Sequence, residues 1–280
     1  MQLPGLSNKK LVGQPKIVPF RNSFQNPLYK QVISTIRNIK QRLFRPAVIE
    51  KNSADAYDLW SEDYDVQPGN LMLDLDEILF PKLLDERIIH NKAVADIGCG
   101  TGRHWTKILQ MQPSGLIGFD VSEGMLNKLK AKFLSANTFK INNNLLSNVQ
   151  SAAFDTIIST LTVAHIENIE QALLAWCRIL KPSSDVIITD FHPKLLAFGG
   201  KRTFKHRNER LAVKNYVHSV STIKDLLYQN GFTLIREEEI IIDESLKHYY
   251  ADQNALNVYD QFKGFPVIYG IHLRRSNGPE

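Results

Sequence analysis

From Lys92 onward, continuous apolar runs alternate with stretches in which apolar residues fall three or four apart. The runs near 92–97, 115–120, 137–141, 154–159 and 185–190 have the length and the Val, Ile, Leu and Phe content of strands covered on both faces. The stretches between them predict helices over about 102–112, 122–134 and 168–181. Ser122 and Asn168 stand where N-caps belong, and Pro182 marks the last stop. A helix near 220–230 and strands over 232–241 and 265–274 follow. Two segments resist this reading. Residues 193–217 show no clear period, and 242–264 are irregular, with Tyr249, Tyr250 and Tyr259. The alternation predicts an α/β, doubly wound sheet.

Upstream of Lys92 the pattern changes. A helical segment runs around 71–89, interrupted or restarted at Pro81, and is preceded by an aromatic cluster of Tyr57, Trp60 and Tyr64. Pro27 to Arg45 reads as an amphipathic helix, with Asn26 as N-cap, Pro46 as stop and a stripe of Tyr29, Val32, Ile36, Ile39 and Leu43. Residues 1–26 have no sustained period and read as a loose arm. The boundary therefore falls near residue 50, with an extension over 1–50 and a domain over 51–280.

Charge sharpens that division. The chain of 280 residues carries a net +5, yet residues 1–50 hold nine lysines and arginines against Glu50 alone, which leaves the body mildly acidic. The expected role of the extension is docking on the domain, with RNA or membrane-surface contact as the alternative; DNA is not an expected partner. No apolar run approaches a membrane span, and the first residues lack the apolar segment of a secretory signal, so a cytoplasmic location is expected. The two cysteines, Cys99 and Cys177, form no CxxC pair or disulfide framework, and no metal site is expected.

Chemistry concentrates in Val94-Ala-Asp-Ile-Gly-Cys-Gly-Thr-Gly-Arg-His104. An apolar strand ends in Asp96 and passes into a turn with Gly98, Gly100 and Gly102, where a ligand can lie against bare backbone. The spacing is Gly-x-Gly-x-Gly. Arg103 occupies the place of the third dinucleotide glycine, which argues against a nicotinamide cofactor. Asp120 ends the next strand, 22 residues after Gly98, where its carboxylate can accept both hydroxyls of a ribose.

Asp96, the glycine triplet and Asp120 together resemble the first motifs of the class I S-adenosylmethionine (SAM)-dependent methyltransferases, over roughly residues 55–275, and the chain is similar to the broad small-molecule group that holds the quinone-biosynthesis and carboxyl methyltransferases. The resemblance implies a Rossmann-like seven-stranded sheet of order 3-2-1-4-5-7-6, strand 7 antiparallel, with S-adenosyl-L-methionine as cofactor and a small-molecule acceptor. Around the methionine moiety it implies roles for Asp96, Gly98, Cys99, Gly100, Thr101 and Gly102. Around the ribose and adenine it implies Asp120, Val121, Met125 and Thr160, with Asn142 or Asn143 in place of the usual aspartate. Tyr64, within Asp63-Tyr64-Asp65, is expected to fold over the site. Cys99 is a reactive thiol or, more simply, a small residue filling a tight turn.

Three histidines are candidates for a general base: His192 in Asp190-Phe-His-Pro193, His218, and His165 after the fourth strand. Their alternatives are helix capping and packing. No Asn/Asp-Pro-Pro-Tyr segment follows the fourth strand, which argues against exocyclic-amine acceptors. Two further readings stay open: a tRNA or rRNA methyltransferase using the basic extension, and a non-catalytic partner subunit of the same fold.

Overall fold

A short strand β1 (Ile49–Lys51) leads into α1 (Ser53–Trp60) and α2 (Leu71–Leu83) in the computed structural model, which describes residues 48–207 and 209–276. The arm and the 27–45 helix expected from the sequence lie outside those residues. The α/β alternation then follows: β2 (Ala93–Ile97), α3 (Trp105–Gln110), β3 (Gly115–Asp120), α4 (Glu123–Lys132), β4 (Asn137–Lys140), β5 (Phe154–Thr160), α5 (Ile169–Ile179) and β6 (Leu180–Phe191). Beyond β6 come α6 (Pro193–Ala197), β7 (Thr203–His206), β8 (Glu209–Val213), α7 (Val220–Gln229), β9 (Phe232–Ile241), α8 (Lys247–Asp252), α9 (Leu256–Phe262) and β10 (Pro266–Arg275).

The main sheet has the order β4-β3-β2-β5-β6-β10-β9. Counted along its own seven strands this is the expected 3-2-1-4-5-7-6, and β10 runs antiparallel to both β6 and β9. The central strands β2, β3 and β5 are largely buried because helices cover both faces, whereas the edge strands β4 and β9 are polar and mostly exposed. Leu173 and Trp176 of α5 pack with Ile223 and Leu227 of α7 on one side. Phe80, Trp105, Ile108 and Leu129 fill the other. Ser122 and Asn168 cap α4 and α5, accepting from Met125 N at 3.1 Å and Gln171 N at 3.1 Å.

Four local expectations change. The helix after β2 starts at Trp105 rather than residue 102, because Gly102 sits at φ +72. The helix before β6 ends at Ile179, and its expected last residues, with Pro182, belong to β6. Helix α2 runs through Pro81, whose missing N–H falls in the last turn and costs a single bond. The segment 193–217 holds α6 and the β7–β8 hairpin, and β8 pairs in parallel with β1 to make a second, three-stranded sheet. That sheet sits on α1, where Trp60 and Phe204 stack with centroids 4.5 Å apart. No described helix is long and apolar enough to cross a membrane.

Arg103, the residue that breaks the dinucleotide pattern, fastens α2 to the glycine loop. It pairs with fully buried Asp76 and with Glu77 at 2.8 Å, while His104 Nε2 donates to Asp76 at 2.8 Å and Thr189 donates to its other oxygen. Burial pushes the Asp76 carboxyl up, but the His104 bond and the Arg103 charge prevail and hold it well below the usual carboxylate range. Replacing Asp76 with alanine leaves Arg103 and His104 without their buried partner. The expected cost is about 3–5 kcal/mol in urea unfolding. A loss under about 1 kcal/mol, the range of an exposed pair, contradicts this role.

Candidate cofactor and acceptor site

The chain leaves β2 through a hook on β3. Gly98 N and Cys99 N both donate to Phe119 O, at 2.7 and 3.2 Å, and Gly98, Gly100 and Gly102 all have positive φ. At Gly98 a side chain has no room: a Cβ there would lie 2.0 Å from Thr162 Oγ1. Asp120 closes the loop from the neighbouring strand. One carboxylate oxygen accepts from Ser122 N at 2.8 Å and the other from Gly100 N at 2.8 Å. Burial pushes its pKa up to about 6 against those two donors. Asp96, also buried, accepts from Trp105 Nε1 at 2.7 Å. Burial raises it to about 7, the Trp105 bond opposing and the Asp120 charge adding to the shift.

The segment ahead of β2 is riveted onto this loop by two aspartates the sequence reading gave no role of their own. Asp58 accepts from Ser122 Oγ at 2.6 Å and Gly124 N at 2.9 Å, at the start of α4. Asp65 accepts from Thr101 Oγ1 at 2.6 Å and Lys132 Nζ at 3.0 Å. Gly124 permits the close approach, since a Cβ there would meet Ser61 Oγ at 2.6 Å. The resulting pocket is walled by Tyr57, Tyr64, Asp120, Val121, Met125 and Thr160, with Gly98 and Gly100 as its floor. A polar extension of it reaches Asp96, Cys99, Thr101 and Arg103.

The structure thus gathers Asp96, Gly98, Cys99, Gly100, Thr101, Asp120, Val121, Met125, Thr160 and Tyr64 around one hollow. Gly102 stands behind it, its Cα turned to Leu129. The Cys99 side chain packs against Gly118 and Trp105, and burial raises its thiol well above the usual value, so it is packing rather than a reactive group. Within the asparagine run the pocket wall falls one residue later than expected. Asn142 and Asn143 are exposed, Asn143 capping its own turn at Leu145 N (3.0 Å), and Asn144 with Ile141 forms the wall. Position within an Asn-Asn-Asn run carries no signal of its own, so only the turn geometry separates the three.

The histidines separate as sharply. His192 is buried as the N-cap of α6: its Nδ1 accepts from Lys194 N at 3.2 Å and its Nε2 faces Glu239 at 3.0 Å, away from the pocket. His218 Nε2 donates to Ile166 O at 2.7 Å and lies outside the pocket lining. Only His165 lines it, on a short 3-10 turn after β5. Its Nδ1–H donates to Lys214 O at 3.0 Å, so Nε2 is bare and accepts from Tyr57 OH at 2.9 Å. Burial, with the Arg202 charge adding to it, lowers its pKa to about 4.

Arg202, which sequence reasoning missed, stands at the rear of the pocket. It is buried, lies 5.2–5.7 Å from the ring centroids of Tyr57, Trp60 and Tyr64, and donates to Tyr64 OH at 2.9 Å. Beyond it opens a second, larger cavity of about 870 Å³, between α1, the β7–β8 hairpin and α8. Nearby, Asp190 accepts from Ala164 N and Phe191 N, both at 2.7 Å, and burial pushes it up to about 7.

Comparison with known proteins agrees with this geometry. Residues 94–184 match the family model of a methyltransferase domain. The chain is 27% identical over 198 residues to the biotin biosynthesis bifunctional protein BioHC of Teredinibacter turnerae, matching 67% of this chain and 33% of that one. It is 27% identical over 157 residues to the tRNA U34 carboxymethyltransferase of Helicobacter pylori, covering 51% of this chain and 57% of the relative. The chain thus spans between a third and three fifths of these relatives. Among solved structures, the magnesium protoporphyrin IX methyltransferase of Synechocystis with bound SAM superposes with a TM-score of 0.52 at 17% identity, over 86% of this chain and 96% of that one, a likeness of fold.

Proposed function

We propose that this chain carries the core of a class I, SAM-dependent methyltransferase and transfers a methyl group to a small-molecule acceptor lying in the cavity behind Arg202. The observation that carries the cofactor side is Asp120. Each of its oxygens spends one lone pair on the backbone, at Ser122 N and Gly100 N, and keeps another for a ribose hydroxyl. The bare floor of Gly98 and Gly100 suits the amino-acid end, and Val121, Met125 and Ile141 offer an apolar slot for a purine. SAM, when bound, supplies a methyl carbon already activated by its sulfonium.

The remaining work is alignment and exclusion of water, and aligned reactants gain about 7–11 kcal/mol over a bimolecular encounter. Tyr57 and Tyr64 line the pocket and hold their rings there through His165 and Arg202. Electron-rich ring faces favour a cationic sulfur and keep water out. In this reading His165 positions Tyr57 and stays neutral at physiological pH. An NMR titration of His165 is expected to show a midpoint below about 5. The folded-state pKa lies below the unfolded value, so stability falls as pH drops from about 6.5 towards 4. A midpoint near the ordinary 6.5 contradicts the Tyr57–His165 bond and the shielding of its ring.

The acceptor side is tested by incubating the full chain with methyl-labelled SAM and, separately, a small-metabolite extract and total RNA. Label entering the small-molecule fraction supports the proposal. Label entering RNA overturns it in favour of the reading in which residues 1–50 track phosphates, which the similarity to a tRNA-modifying enzyme favours.

A further inference from the structure

The cavity behind Arg202 has an electrostatic character that the methyltransferase core does not explain. Arg202 is 4% exposed, and no carboxylate lies within ion-pairing distance of it among the described residues. Its Nη groups reach Tyr64 OH and, at 3.4 Å, Leu161 O, and its Nε has no partner. An isolated buried cation costs several kcal/mol unless it meets a counter-charge. Three aromatic faces offset part of that cost.

The hairpin repeats the theme. In the β7–β8 register Lys205 stands directly across from Arg210, and like charges at paired positions destabilise a sheet. Both line the cavity, and neither takes part in an ion pair among the described residues. Thr203, two residues from Lys205 and so on the same face, accepts from Arg210 Nη2 at 3.1 Å and directs that guanidinium along the wall. Lys201, also on the wall, is matched by Glu50 at 3.0 Å, and the acidic residues lining the cavity are Asp63 and Asp252. The rest of the lining is largely apolar or aromatic, including Trp60, Phe191, Phe204, Tyr249 and Tyr250.

We propose that this cavity binds a small organic acid, its carboxylate held by Arg210 and Lys205 on the hairpin wall and its apolar body laid against the aromatic lining. This rests on the reading of the cavity as the acceptor site and gives that acceptor a chemical class. A carboxylate matches the planar fork of a guanidinium in two parallel hydrogen bonds, and it relieves the opposition of Lys205 and Arg210. Tyr64 links the two hollows: its ring lines the cofactor pocket and its hydroxyl receives Arg202.

The test uses the full chain saturated with S-adenosylhomocysteine and three probes at neutral pH: naphthoate, its uncharged analogue naphthamide, and inorganic phosphate. Calorimetry is expected to show naphthoate binding at least about tenfold more tightly than naphthamide, a difference of about 1.4 kcal/mol. Arg210→Gln and Lys205→Gln, both on exposed positions of the hairpin, are each expected to weaken naphthoate several-fold while leaving naphthamide and S-adenosylhomocysteine unchanged. Equal affinity for acid and amide, no binding of either, or phosphate binding more tightly than naphthoate overturns the proposal. Loss of S-adenosylhomocysteine binding by the wild type is a separate readout and strikes the cofactor assignment instead.

Discussion

Asp120→Ala is expected to lower the affinity for S-adenosylhomocysteine by about a hundredfold or more. Two charge-assisted hydrogen bonds to a ribose, each worth about 1.5–3 kcal/mol, disappear together. The substitution also frees Gly100 N and Ser122 N, which Asp120 holds at 2.8 Å each, so the loop that forms the pocket floor loses its tie to β3. Burial raises the Asp120 pKa to about 6, and only the ionised form offers acceptors on both oxygens. Affinity in the wild type is therefore expected to rise with pH through about 6 and to level off above it. Asp120→Asn keeps the shape, loses the charge and should flatten that rise. A wild-type affinity independent of pH between 5 and 8, with Asp120→Ala binding as well as wild type, contradicts the ribose role.

Gly98→Ala is expected to be nearly as damaging, for a steric reason. The residue sits at φ +75, where a side chain costs about 1–2 kcal/mol. The added Cβ would also lie 2.0 Å from Thr162 Oγ1, 2.4 Å from its Cγ2 and 2.7 Å from its Cβ. Overpacking of this kind costs about 1–3 kcal/mol more and is relieved only by moving the loop. Cofactor binding should be lost while far-UV circular dichroism remains native, because the clash is confined to the turn between β2 and the strand end of β5. Pairing Gly98→Ala with Thr162→Gly removes all three contacts, since even an alanine keeps the Cβ at 2.7 Å. The double variant should recover part of the binding, the φ cost remaining. If Gly98→Ala alone binds S-adenosylhomocysteine normally, the loop does not form the cofactor floor.

The strands and helices of the main sheet were legible because buried parallel strands are apolar runs and caps such as Ser122 and Asn168 mark where helices begin, while their order came from the resemblance carried by Asp96, the glycine triplet and Asp120. The second sheet was not. Its strands are three to five residues long, their alternation is overwritten by Lys205 and Arg210, and β1 meets β8 from far upstream in the chain. Pairing at that distance leaves no local pattern. Asp58 and Arg202 were invisible for a related reason: each acts through a partner on another element, at Ser122 and Tyr64. The His192-Pro193 pair did carry a readable N-cap signal, an acceptor side chain just ahead of a first-turn proline, and the structure places His192 there. His165 drew notice as a titratable group, but the two hydrogen bonds that fix its neutral tautomer belong to Tyr57 and Lys214, remote in sequence.

The hollow between the glycine loop, Asp120 and the Tyr57–Tyr64 segment is proposed as a SAM site in this chain. Isothermal titration of the wild-type, full-length protein with S-adenosylhomocysteine tests it most directly, with NAD as the control. Saturable binding at one site per chain and no heat from NAD are expected. No detectable binding of S-adenosylhomocysteine, or binding of NAD in its place, would contradict it.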